Sequence, residues 1–449
     1  MFEATYLGNQ GWLFHDGDAT VVVDPIFGPE FGRGPSGARY TCHPPRRWGL
    51  EEVPPLDALI ITHEHEDHLH LPSLARVDRR VPVWLSARAS RSAHTIVREL
   101  GFSVTPLEPG ARLRWGGLSL RTFSPNHVAS DEIDEWDTLG FAVEDARGDG
   151  AFLTNVDVRL TAAMAEHVRR GGEARRAVNG DEGATLVFYS GTISEATSLS
   201  TERPPEVGSA HVLDPAEAFA RLAAQAVFWP APGLTFHQQR GRVVRVSEAP
   251  FVRTAPLTTW PSPEAAGFVV APDADPVPAC GRPLFDDADL PRLTSALQAL
   301  ASFLYGRTLF RRLLSLSVDD LAGRQPTFLL LLHTDREGGT YAAEYDPSAC
   351  AFRFLDGDDV RIEAYVGGFE CWANDFLALA DATFEPRIVS GRHVRHWSAL
   401  PHVLPFDFER EALWPFFHPL HRPDRCLRRY REVALEERDA PVQVRRRER

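Results

Sequence analysis

The 449-residue chain contains no lysine, so all 48 of its basic residues are arginine. This absence excludes Schiff-base chemistry on a lysine and phosphate binding by a P-loop lysine. The five cysteines are odd in number and scattered without a Cys-x-x-Cys pair, which predicts reduced structural thiols. The sequence also lacks a basic leader and an apolar run of about 18 residues, so we expect no membrane span and a cytoplasmic location.

Acidic residues outnumber basic ones, 62 to 48, so the formal net charge is -14. An acidic chain lacks the broad basic face that nucleic-acid binding requires, so we expect no nucleic-acid partner. The hydrophobic content of 43% is typical of a globular protein that can bury a sizeable core. Since single cores stop growing at roughly 250 to 300 residues, the length predicts two domains.

Changes in composition divide the chain into four segments. Residues 1–245 alternate short β-branched runs with helical stretches, as in a layered α/β domain. Residues 246–283 are rich in proline and alanine and predict a connector. Residues 284–435 begin with a long amphipathic helix and continue with strands and another helix, which predicts an α+β domain. Residues 436–449 are basic without apolar periodicity, so we expect a disordered tail.

A dense group of metal-binding residue types follows an apolar run that ends at Ile61. Residues two apart in an extended segment share a face, so His63 and His65 can bind one ion. Asp67 and His68 follow where the chain turns, which places them beside that ion, where a second ion could bind. Imidazole and carboxylate ligands at this spacing suit zinc, iron or manganese. We therefore expect one or two divalent metal ions here.

The motif and the order of elements around it resemble the metallo-β-lactamase superfamily. Residues 1–245 resemble its branch containing L-ascorbate-6-phosphate lactonase, N-acylphosphatidylethanolamine phospholipase and CMP-N-acetylneuraminate hydroxylase. YLGNQGWLF and TVVVDPIF resemble the two opening strands, with Asp24 at the end of the second. SPNHVAS resembles the family segment that supplies the third histidine, here His127. AFLTNVDV resembles the family strand that ends in the metal-bridging aspartate, here Asp157. The resemblance implies an α/β fold, the αββα sandwich, here with an additional C-terminal α+β domain.

The chain departs from the family in the final strand of this domain. Relatives usually end that strand with a histidine-containing turn, but this chain has Pro230-Ala231-Pro232-Gly233. His237, or the more remote His211, is a candidate substitute for the missing ligand. The resemblance assigns a first metal position to His63, His65, His127 and Asp157, and a second to Asp67, His68 and Asp157. The second position is therefore the one that lacks a ligand.

Three functions remain open from these residues. The first is a metal-dependent hydrolase in which Asp157 bridges or orients the ions and Asp67 holds the second ion or the attacking water, acting on an ester, lactone, amide or phosphodiester. The second is a mono- or diiron oxygenase, because the same ligand types hold redox iron. Without a Rieske-type ligand pair, an oxygenase would need an external electron donor. The third is a non-catalytic binding protein that retains the fold with a degraded site.

The partner expected for either enzyme is a small molecule, which the sequence does not identify. Residues 343–430 resemble sterol-carrier modules at the level of pattern, so the C-terminal domain is a candidate for binding an acyl chain. Alternatively, this domain forms a dimer interface, in which case the protein is a homo-oligomer.

Overall fold

A computed structural model of the chain provides the structure. It describes residues 1–8, 10–28, 30–31, 40–43, 50–124, 138–156, 161–179, 185–188, 226–227, 234–240, 242–248, 267–270, 285, 287–307, 310–311, 314–321, 323–334, 339–355, 360–361, 364–380, 394–398, 416 and 423–448.

The strands are, in chain order, β1 (Phe2–Gly8), β2 (Gly11–His15), β3 (Thr20–Val23), β4 (Glu30–Phe31), β5 (Tyr40–His43), β6 (Ala58–Ile61), β7 (Val83–Ser86), β8 (Val104–Leu107), β9 (Arg112–Trp115), β10 (Leu118–Phe123), β11 (Gly140–Asp145), β12 (Ala151–Thr154), β13 (Leu186–Phe188), β14 (Ala226–Val227), β15 (Leu234–Gln239), β16 (Arg242–Glu248), β17 (Gly267–Val270), β18 (Gln325–His333), β19 (Thr340–Asp346), β20 (Ala351–Leu355), β21 (Tyr365–Trp372) and β22 (Val394–Ser398). The helices are α1 (Leu71–Ala75), α2 (Arg91–Glu99), α3 (Ala162–Asn179), α4 (Leu290–Gly306), α5 (Ala373–Ala380) and α6 (Pro423–Glu436), with 3₁₀ turns at Leu50–Glu52 and Asp287–Asp289. Within the described ranges, no helix is both long and apolar enough to cross a membrane.

Two sheets form the centre of the first unit. The larger has eight strands in the order β16-β15-β1-β2-β3-β6-β7-β8, and the smaller has six in the order β14-β13-β12-β11-β10-β9. Side chains of α1 and α2 share a buried cluster with the outer face of the larger sheet, and those of α3 do so with the smaller one. Helices therefore cover both outer faces. The expected αββα sandwich is confirmed.

The apolar alternation of the strands explains this layering. In β6, Ala58 and Ile60 belong to the cluster between the two sheets, whereas Leu59 and Ile61 belong to the cluster under the helices. Successive side chains of a strand point to opposite faces, so a continuous apolar run is buried on both sides. Fully burying a leucine or isoleucine side chain contributes about 1.5–3 kcal/mol. This burial fixes the register in which the His63–His68 motif leaves the sheet.

The second unit is a five-stranded sheet in the order β20-β19-β18-β21-β22. Its buried cluster joins Leu297 and Leu300 of α4 with Phe328 of β18, Tyr345 of β19 and Phe376 of α5. Strands β18 and β21 pair in parallel, and the other neighbours in this sheet are antiparallel. A smaller three-stranded sheet, β17-β5-β4, joins residues 267–270 to the segment that follows β3.

The C-terminal residues correct two expectations. Helix α6, assigned from sequence to the second domain, contributes Cys426 and Tyr430 to the cluster under α2 in the first unit. The tail, expected to be disordered, forms β-bridges from Val444 to Val77 and from Arg446 to Leu56. The physical reason is burial, because the Val444 side chain is fully enclosed in that same cluster. The chain thus returns to its first unit at its end.

Candidate metal centre

The His63–His68 motif begins two residues after β6, beside the carboxyl ends of the parallel strands β3, β6, β7 and β8. Ligand sites of α/β sheets commonly lie at this edge. Beyond His65 the chain turns, since the backbone N–H groups of His68 and Leu69 both donate to the carbonyl oxygen of His65, at 2.9 and 2.7 Å. The turn folds His68 back toward His63.

Three imidazole rings are brought together by this turn. His63, His65 and His68 are all buried. The ring centroid of His63 lies 4.4 Å from that of His65 and 3.9 Å from that of His68. Nε2 of His63 lies 2.7 Å from Nδ1 of His65, so two ring nitrogens converge on one point. Buried imidazoles with converging nitrogens form a donor set that suits a divalent metal.

Asp24, at the end of β3, fixes the orientation of this motif. Its Oδ2 lies 2.8 Å from Nδ1 of His68 and accepts a 2.5 Å hydrogen bond from Thr62 Oγ1, while its Oδ1 accepts from the Thr62 N–H at 2.8 Å. A carboxylate on Nδ1 leaves Nε2 of His68 for an ion, as in the carboxylate–histidine pairs of many metal sites. Thr62 Oγ1 also lies 3.1 Å from Nδ1 of His63, so Nδ1 of this ring faces Thr62 and Nε2 faces His65.

The role of Asp24 was not assigned from sequence, although its position carried a signal. An acidic residue ends the apolar run TVVV and is fully buried. Its backbone has a left-handed φ of 44°, which is uncommon for a residue other than glycine and is often found near functional sites. Its N–H donates to the carbonyl of Ile60 in the neighbouring strand. These contacts hold the carboxylate against the histidines.

Asp67 lies at the more open side of the cluster. Its side chain is 17% exposed, and its Oδ2 lies 3.4 Å from Nε2 of His68. The predicted second-position pair, Asp67 and His68, is therefore adjacent. His70, the next histidine, turns away, with its Nδ1 2.6 Å from Ser73 Oγ.

His127 and Asp157, the remaining ligands implied by the resemblance, lie outside the described residues. The strands that precede them, β10 and β12, end at one edge of the smaller sheet, because Thr122 pairs with Phe141 and Phe141 pairs with Thr154. Val156, the residue before Asp157, has a left-handed φ of 52°, unusual for a β-branched residue.

Aromatic contacts between the sheets show where this edge lies relative to the histidine cluster. Trp12 pairs with Val23, next to Asp24, and its ring centroid lies 5.3 Å from that of Phe188. Phe188 is in register with Thr154, the last residue of β12. The edge of the smaller sheet at which β10 and β12 end therefore faces the end of the larger sheet that carries His63.

His237 is not brought to the cluster. It lies in β15 opposite Glu3, and its Nδ1 is 3.1 Å from Glu3 Oε1. Across the sheet, Glu3 pairs with His15, and His15 pairs with Thr20. The Thr20 N–H donates to Asp57, the residue just before β6. His63 follows Asp57 by six residues, or about 20 Å along the strand direction. His237 thus lies at the opposite end of the sheet, which corrects its assignment to the site.

The residues at the motif fit a metal ion in donor type, burial and orientation of the ring nitrogens. Among the residues that the structure describes, no group of three or more His, Cys, Asp or Glu side chains is already arranged to hold an ion.

A comparison with known protein families matches part of this chain. Residues 19–177 match a family model described as "Beta-lactamase superfamily domain". This segment includes β3, the whole His63–His68 motif and most of the smaller sheet. The resemblance inferred from the motif is confirmed over these residues.

Two curated relatives and several solved structures are also similar. Cytidine monophosphate-N-acetylneuraminic acid hydroxylases of Cricetulus griseus and Mus musculus are 37% identical over 82 residues, or 18% of this chain. The match spans 14% and 13% of the length of those two relatives. Isothiocyanate hydrolase from Delia radicum gut bacteria matches 50% of this chain and 83% of its own, with 14% identity and a TM-score of 0.33. A diiron β-hydroxylase from Streptomyces venezuelae matches 54% of this chain and 47% of its own, with 18% identity and a TM-score of 0.31.

Proposed function

We propose that this chain, which carries a metallo-β-lactamase superfamily domain, is a metal-dependent enzyme whose ligands include His63, His65 and His68. The observation that carries the proposal is the contact between Asp24 and His68, at 2.8 Å in a fully buried setting. A buried carboxylate held on Nδ1 is the arrangement that presents Nε2 to a metal. A histidine-rich surface turn would not require such support.

The proposed ligand set follows the family pattern without His237. The first position comprises His63, His65, His127 and Asp157, and the second comprises Asp67, His68 and Asp157. Zinc, iron and manganese all suit these donors. The proposal includes one or two ions, because the second position has fewer protein ligands than the first.

The reaction that we propose first is hydrolysis of an ester, lactone, amide or phosphodiester. A divalent metal held by these residues would supply hydroxide at neutral pH, by lowering the pKa of bound water toward about 7. The chain's own residues orient this chemistry. Asp24 and Thr62 contact the imidazoles of His68 and His63. Asp67, at the more exposed side of the cluster, would hold a second ion or the attacking water.

An iron-dependent oxygenase is the second candidate. The similarity to cytidine monophosphate-N-acetylneuraminic acid hydroxylase supports it, and the histidine and carboxylate donors suit iron as well as zinc. Such an enzyme would use an external electron donor.

One experiment separates the two candidates. The purified full chain is loaded in turn with zinc, manganese and ferrous iron, and is assayed with p-nitrophenyl acetate and bis(p-nitrophenyl) phosphate with and without oxygen. Hydrolysis that is independent of oxygen and lost in His63→Ala supports the hydrolase. Oxygen uptake by the iron form alone, driven by a chemical reductant and lost in the same variant, supports the oxygenase. Equal activity in the wild type and His63→Ala would contradict both.

A further inference from the structure

Glu64 lies between two of the proposed ligands, yet its carboxylate is bonded elsewhere. Its Oε1 accepts a 3.1 Å hydrogen bond from the Ser90 N–H, and its Oε2 accepts a 2.6 Å bond from the Ser90 hydroxyl. Both residues are buried. A buried carboxylate requires such bonds, and hydrogen bonds to an ionised acceptor are stronger than those between neutral groups. The segment His63–His65 is thereby tied to a second element of the fold.

Ser90 also caps helix α2, which begins at the next residue, Arg91. Its backbone is extended, and its side-chain oxygen accepts a hydrogen bond from the Ala93 N–H at 3.1 Å, as an N-cap does. One hydroxyl therefore caps the helix and donates to Glu64. The negative charge of Glu64 lies at the positive end of the helix dipole, which further stabilises the pair.

Helix α2 is held in turn by the C-terminal helix α6. The Ser92 hydroxyl donates to the carbonyl of Pro423, and Arg431 forms a two-pronged ion pair with Glu99 at 2.5 and 2.8 Å. Tyr430 is enclosed in the cluster that α2 shares with the larger sheet. Burial raises the pKa of Tyr430 well above its ordinary value, and the Cys426 thiol and the Glu64 carboxylate raise it further. Helix α6 therefore packs against α2.

We propose that Glu64 and Ser90 are positioning residues that anchor the metal-binding segment to helix α2, with α6 as the support behind that helix. Neither residue is assigned as a metal ligand. Their bond sets the path of the backbone between His63 and His65, and so the point at which the two ring nitrogens converge. The inference rests on the proposed function, because it concerns ligands of the proposed metal site.

The test measures cobalt binding to the full chain, with cobalt as a coloured substitute for zinc. Ser90→Ala removes the hydroxyl, and Ser90→Thr restores one. We expect Ser90→Ala to weaken cobalt affinity about tenfold or more, the usual effect of losing an outer-shell partner, and to change the visible absorption of the bound ion. Ser90→Thr should recover affinity and spectrum. Glu64→Gln, which keeps one acceptor oxygen, should show a smaller loss and serves as the second variant if Ser90→Ala does not fold.

Ser317→Ala provides the matched control. Ser317 also caps a turn, through bonds with Asp320, but it lies in the second unit. The proposal is overturned if Ser90→Ala or Glu64→Gln binds cobalt with wild-type affinity and spectrum, as Ser317→Ala should. His63→Ala, measured in parallel, separates a failure of the metal site from a failure of the anchor. If His63→Ala binds cobalt as the wild type does, the proposed function is overturned. If His63→Ala loses cobalt binding while Ser90→Ala binds normally, only the role of Glu64 and Ser90 as an anchor is overturned.

Discussion

Oδ2 of Asp24 lies 2.8 Å from Nδ1 of His68, and both side chains are fully buried. The two residues are 44 positions apart in sequence and meet because β3 pairs in parallel with β6, so their carboxyl ends lie side by side. The same carboxylate accepts two hydrogen bonds from Thr62, the residue before the first histidine. The pairing of β3 with β6 therefore determines how Asp24 contacts Thr62 and His68.

Asp24→Asn is expected to weaken metal binding while the fold is retained. An amide nitrogen facing His68 favours the tautomer that protonates Nε2, the nitrogen proposed to face the ion. We expect about 10- to 100-fold lower affinity in a competition titration with a chromogenic chelator. Asp57→Asn is the matched control, because Asp57 also accepts a backbone N–H, that of Thr20, but at the other end of β6. Equal losses in both variants would contradict a specific role for Asp24.

Val444→Ala is expected to destabilise the first unit by about 1–2 kcal/mol, because it removes two buried methyl groups. Val442 lies two residues earlier and is 53% exposed. Val442→Ala should therefore change the free energy of unfolding by less than about 0.5 kcal/mol. Urea denaturation of both variants provides the measurement. If the two substitutions had the same small effect, the C-terminal segment would not be bound as the structure has it.

His94 is expected to make stability depend on pH. Burial lowers its pKa, Arg98 lowers it further, and the Ser86 carbonyl and Glu64 oppose the shift. Because the unfolded chain then binds the proton more readily, the stabilisation is complete above about pH 6.5 and declines as the pH falls below it. His94→Gln keeps a donor for Ser86 and does not titrate. Between about pH 7.5 and 5.5, the melting temperature of His94→Gln should fall less than that of the wild type. If the two melting temperatures fall equally with pH, the prediction is wrong.

The grouping of His63, His65 and His68 was predictable from sequence because it depends on local geometry. A strand places alternate residues on one face, and a turn follows within three residues. The layered fold was predictable for a similar reason, since alternating apolar runs report which faces are buried. The support from Asp24 depends on pairing between distant strands, which the spacing of the motif does not contain.

The errors also have physical causes. His237 follows the segment Pro230–Gly233, where relatives have the missing ligand. However, it lies within β15, and the pairing of β15 with β1 sets its position along the sheet. The tail is mostly polar. It is held by the buried side chain of Val444, by backbone hydrogen bonds to Leu56, Arg76 and Asp78, and by polar contacts of Arg447 with Asp18, Thr20 and Asp57. Composition alone predicts neither the register of β15 against β1 nor the backbone pairing of the C-terminal segment.

Metal content, measured by elemental analysis, tests the central claim most directly. The full chain, His63→Ala and His237→Ala would be purified without added metal and compared for identity and number of ions per chain. We predict one or two ions in the wild type, a similar content in His237→Ala, and loss of metal in His63→Ala. A wild type without stoichiometric metal, or a His63→Ala protein with the wild-type content, would contradict the assignment of this motif as a metal centre.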